Sequence, residues 1–110
     1  MADIALLKVG RHFRFKENKI IVGRNEAENN LLTTKRSWND YYFEVPDIGS
    51  PITLLKGAKT KKAIKAAAAL TAFYSDAKSS EVKVSFGGEK LDHSMIVSMP
   101  TRAEVEKFRI

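Results

Sequence analysis

The chain has 110 residues, enough for one domain (1–110) and too few for two ordinary ones. Its 44% hydrophobic and 29% charged residues exclude intrinsic disorder, and the absence of cysteine excludes disulfides, thiolate zinc sites and thiol catalysis. The net charge of +6, from 19 Lys+Arg against 13 Asp+Glu, favours a polyanionic partner.

In chain order, residues 4–9 (IALLKV) and 12–16 (HFRFK) read as strands. In the second, Phe13 and Phe15 alternate with His12, Arg14 and Lys16, the period-2 pattern of a strand with one buried face. Glu17-Asn18 makes a turn, and Lys19 to Val22 returns antiparallel, so the polar sheet face carries Arg14, Lys16 and Lys19. Gly23 turns the chain into a helix over 26–35. Asn25 is its N-cap, with Glu28 three residues on in a capping-box pattern, and Leu31 and Leu32 form its buried stripe. Residues 37–40 form a turn. Tyr41 to Val45 is an aromatic strand with Tyr41, Phe43 and Val45 inward, and a Pro/Gly loop over 46–51 follows.

Ile52 to Leu55 is a short strand, at a sheet edge or leading into the next helix. Thr60 to about Ser75 is the clearest helix, and its alanines allow close approach to a sheet. Residues 81–86 and 94–99 form a hairpin around Gly87-Gly88, and Thr101 with Glu104 marks a capping box opening a C-terminal helix. Strands come in adjacent runs. The expectation is an α+β fold: a mainly antiparallel sheet with helices packed on one side.

Catalytic constellations are hard to find. His12 reads as an exposed strand residue and His93 as a turn residue, and neither has a metal-ligand spacing. The stretch 56–61 lacks the first glycine of a phosphate loop. No nucleophile sits beside a base, so the chain is read as non-enzymatic, without cofactor or metal. No apolar run reaches the roughly 18 residues of a membrane span, and the start MADIALLKVG lacks a basic n-region. The expectation is a cytoplasmic monomer with no membrane contact.

Three features could contact an anion. Lys59, Lys61, Lys62 and Lys65 crowd the start of the long helix, where the dipole disfavours cations but free N–H groups favour a bound anion. The same lysines also suit a merely solvated face. Trp38, beside Lys35 and Arg36, could stack on a base or plug the core. Arg24 is explained by neither turning nor capping, and could contact a ligand or pair with a neighbouring acid.

The succession FRF-x-x-x-K-IIVGRN-x-x-x-N, then DYYFEV, the Gly49-Ser50 loop and an Ala-rich helix ending Tyr74-Ser75 resembles the NFACT-type RNA-binding domain over roughly residues 10–100. It looks most like the subtype appended C-terminally to PP-loop tRNA thiolation enzymes. Gly23, Arg24, Asn25 and Asn29 match the family's Gly-Arg-(Asn/Asp)-x-x-x-Asn motif. Glu44 and Ile48 stand where another branch of the family has histidines. The resemblance implies binding of RNA, plausibly tRNA, in the context of tRNA thiolation. Any catalytic PP-loop would then lie on an N-terminal partner domain or another chain. The candidate RNA contacts are Arg24, Asn25, Asn29, Lys59, Lys61, Lys62, Lys65, Arg14, Lys16 and Trp38. The alternative is a non-catalytic domain that docks on its parent enzyme or on a ribosome-like particle.

Overall fold

A computed structural model describes residues 10–35 and 39–109. Among them the order is β1 (Arg11–Phe15), β2 (Asn18–Val22), α1 (Glu26–Lys35), β3 (Tyr41–Glu44), β4 (Thr53–Lys56), α2 (Lys61–Phe73), β5 (Glu81–Gly87), β6 (His93–Ser98) and α3 (Arg102–Glu106). The strands form one six-stranded sheet, β1-β2-β4-β3-β5-β6, in which every pairing is antiparallel. The expected α+β class and antiparallel sheet are therefore found. The strand expected at 4–9 and most of the turn at 37–40, Trp38 included, lie outside the described residues.

Of the two expectations for β4, the structure rejects the sheet edge and keeps the other, since the strand is followed directly by α2. β4 lies between β2 and β3, and its Leu54 and Leu55 are both buried although they face opposite sides of the sheet. Ile20, Ile21 and Val22 of β2 are likewise buried in succession. Strands that are apolar on both faces need cover on both faces. Ile20, Val22 and Leu55 pack in one cluster with the alanines of α2 and Val105 of α3, while Ile21 and Leu54 pack in a second cluster with Leu32 of α1. The helices are thus not all on one side: α2 and α3 share one face and α1 covers the other. Only half of the stripe expected on α1 is buried, since Leu31 is 40% exposed.

α2 lies close because its inward residues are small. Ala63, Ala66, Ala67, Ala68 and Ala72 are buried, and the Thr71 hydroxyl forms a buried 2.8 Å hydrogen bond with that of Thr53 on β4. α2 contacts every strand from β2 to β6, so the sheet curls around it. Thr60 caps α2 and Thr101 caps α3, the latter in the expected capping box with Glu104. Beyond α3 the chain reaches β1. Arg14 N–H donates to the Phe108 carbonyl at 2.6 Å, and Phe15 and Phe108 meet edge to face at 5.7 Å. This return covers part of the β1 edge. No helix among the described residues is long and apolar enough to cross a membrane.

Candidate nucleic-acid interface

The Gly23-Arg24-Asn25-x-x-x-Asn29 motif has an intramolecular role at every named position. Asn25 Oδ1 accepts the Glu28 N–H at 2.9 Å, capping α1. The Glu28 carboxylate does not return to the Asn25 N–H. It accepts instead from the Arg24 N–H at 2.9 Å and from the Arg24 guanidinium, Nε at 2.9 Å and Nη2 at 2.6 Å. This two-point bond, helped by backbone donors of Arg24 and Gly10, holds the Glu28 carboxyl down at about 2. The Arg24 side chain remains 48% exposed at the surface of this pair.

Asn29 and Gly23 act together on the approach to β4. Asn29 Oδ1 accepts the Ile52 N–H at 2.9 Å, and the Gly23 N–H donates to the Ile52 carbonyl at 3.0 Å. Both polar groups of one backbone residue are satisfied from the β2–α1 junction. Gly23 is glycine because a Cβ there would collide with Asn29 Oδ1. The Gly49-Ser50 loop is similar. A Cβ on Gly49 would collide with the Asp76 carboxylate, and Ser50 Oγ accepts the Val45 N–H at 2.9 Å while donating to the Pro51 carbonyl at 2.9 Å.

The lysines occupy the other end of β2. Asn18, buried and paired with Phe15, donates its side-chain amide to the carbonyls of Lys56 at 3.1 Å and Ala58 at 2.7 Å. Those bonds tie the β1–β2 hairpin to the β4–α2 loop. As a result Lys16, Lys61 and Lys62 line one cleft of about 570 Å³. Lys16 holds the turn with φ +55°, and Gly57 bends the loop with φ +101°. Behind the turn, on the sheet face that carries α1, Arg14 stands opposite Lys19, and Lys19 opposite Lys56. Like charges paired across strands are unfavourable, and one acid offsets the row: Lys56 Nζ lies 2.7 Å from buried Asp40.

The candidates therefore fall into two groups. Lys16, Lys61 and Lys62 meet at one end of the sheet, with Lys65 a turn further along α2 and Arg14 at the same end but on the opposite face, the one that carries α1. Lys59 belongs to that end but turns inward. Its ammonium donates to the Gly57 carbonyl and lies 5.4 Å from the centre of the Tyr41 ring, and burial pulls its pKa down. Arg24, Asn25 and Asn29 sit at the opposite end of β2, about 13 Å away along the strand. Lys19 and Lys56 were not among the sequence candidates. Lys19 is visible as a polar strand residue, whereas Lys56 needed the pairing of β4 with β2. His12 is half-buried in β1, and His93 begins β6 instead of sitting in the turn, its ring 5.4 Å from that of Phe86.

A family model, the NFACT protein RNA binding domain, matches residues 10–109. Among solved structures, the C-terminal of the fibronectin/fibrinogen-binding protein from Streptococcus suis is similar, with a TM-score of 0.83 at 18% identity, over 94% of this chain and 50% of that one. At that identity the likeness concerns the fold, and the chain spans half the length of that structure. No curated protein matches the chain.

Proposed function

Because the chain belongs to the NFACT protein RNA-binding domain family, we propose that it is an RNA-binding module that grips phosphates at the end of the sheet tied together by Asn18. The observation that carries the site is the meeting of two distant segments. The hairpin brings Lys16, with Glu17 beside it, and the start of α2 brings Lys61 and Lys62, around one cleft. Thr60 uses its hydroxyl to cap α2, and the first turn contains no acid, so a phosphate there meets the positive end of a helix as well as cations. Lys65 extends the track along the helix, and Arg14 with Lys19 adds cations on the opposite face of the same sheet end. Lys59 contributes mainly to the loop. Arg24, Asn25 and Asn29 serve the module by shaping it. The RNA is proposed to be tRNA or another structured RNA, read mainly by shape and phosphate position. The module would present it to a PP-loop thiolation domain, N-terminal or on another chain, and itself does no chemistry.

The test is salt dependence. Four neutralised phosphates predict a slope of log affinity on log salt of about −3 to −4 for duplex-like RNA. Lys61→Glu with Lys62→Glu should weaken binding to bulk tRNA and flatten that slope, leaving the melting temperature nearly unchanged because both side chains are exposed. A slope near zero for the unmodified chain refutes the proposal.

A further inference from the structure

A second cleft, of about 530 Å³, opens between α2, β6 and α3 beside the lysine end. Phe15 and Lys62 line both clefts, so the two are neighbours that share a wall. Its floor is apolar, built from Phe15, Ala66, Ala69, Val97, Met99 and Phe108. The depth follows from sequence: on the face of α2 that looks into the cleft, positions 66 and 69 are alanine, where a larger side chain would fill the space. Phe15, Phe108 and Met99 are only partly buried, which leaves apolar surface open to a ligand. Around the rim stand Lys62, Lys65 and Lys107, and against these three cations one acid, Glu104. The Glu104 carboxylate is already engaged, accepting the Thr101 N–H at 2.9 Å.

We infer that this cleft receives one unpaired nucleotide of a bound RNA, its base on the Phe15–Phe108 floor and its flanking phosphates at Lys62, Lys65 and Lys107. A nucleotide combines the flat apolar face and the flanking negative charge that this floor and rim would accept, and the size of the cleft suits a small-molecule site. The inference rests on the RNA-binding reading above and adds a preference that phosphate contacts alone would not create: RNA with a looped-out or single-stranded base over fully paired RNA. An acidic peptide would share the rim chemistry but would not use the floor in this way.

The probe is a single-stranded RNA decamer, compared with a decamer of equal charge whose central nucleotides are abasic. Stacking of one base predicts tighter binding of the intact decamer by about 5- to 150-fold. Ala69→Leu, which fills the cleft without removing a cation, should erase that difference while leaving binding of the abasic decamer and its salt slope nearly unchanged. In the unmodified chain the Met99 methyl resonance should move with the intact decamer and stay in place with the abasic one, a readout that does not depend on the variant folding. Equal affinity for the two decamers, with a normal salt slope, overturns the inference and leaves the phosphate-binding proposal standing. Binding of neither decamer at low salt overturns both. Displacement of the intact decamer by an equally charged acidic peptide at equal concentration also overturns the inference.

Discussion

Replacing Asn29 by alanine separates a motif that shapes the fold from one that touches a ligand. The substitution removes the acceptor of the Ile52 N–H, a 2.9 Å bond at a partly buried position. Leaving such a donor unsatisfied costs about 1–3 kcal/mol, and partial exposure of Ile52 places the cost near about 2 kcal/mol. Alanine is a better helix former than asparagine by roughly 0.5 kcal/mol, which offsets part of it. The net loss is about 1.5 kcal/mol, or roughly 6 °C in melting temperature for a domain of this size. Gly23→Ala should destabilise by a similar or larger amount, because the new Cβ displaces the Asn29 oxygen from the same bond. In the Asn29→Ala background that collision is gone, so the double variant should be more stable than the sum of the two losses by about 1 kcal/mol. Thermal and urea unfolding followed by circular dichroism measure all four proteins, and RNA affinity is measured well below each melting point. Asn29→Ala should bind RNA as the unmodified chain does. An Asn29→Ala protein with unchanged stability and much weaker RNA binding would refute the structural account of the motif.

Other outcomes follow from the same geometry. The Glu28 carboxyl is held at about 2 against an ordinary 4.5, so its pairing stabilises the fold fully above about pH 4.5 and loses that contribution as pH falls toward 2. The gap in urea midpoint between the unmodified chain and Glu28→Gln should therefore be constant from pH 8 to 5 and narrow below 4.5. Thr71→Val should cost about 1–2 kcal/mol by stranding the buried Thr53 hydroxyl, whereas Thr53→Val with Thr71→Val should be nearly neutral in the same unfolding assay. Asn18→Ala breaks two bonds to the β4–α2 loop and should cost about 2–3 kcal/mol. It should also weaken tRNA binding at temperatures where the domain is folded, because the loop no longer holds Lys61 and Lys62 against Lys16.

Local signals in the sequence were enough for the elements. Alternation in FRF, the Asn25 and Thr101 caps, the alanine helix and the closing hairpin each depend on contacts within a few residues, and each is found near its expected bounds. Net charge, which needs no fold, favoured a polyanionic partner, in line with the RNA-binding domain family to which the chain belongs. The motif at 23–29 could be recognised but not interpreted, because its decisive partner, Ile52, lies 23 residues beyond Asn29. Placement was decided only by tertiary structure. Strand pairing put β4 in the centre of the sheet, where two buried faces demand helices on both sides. Burial of the Asn18 amide, which needs acceptors, pulled the β4–α2 loop onto the hairpin and gathered the cations there. Antiparallel register lined up Arg14, Lys19 and Lys56, and it set Arg24 at the far end of the same strand.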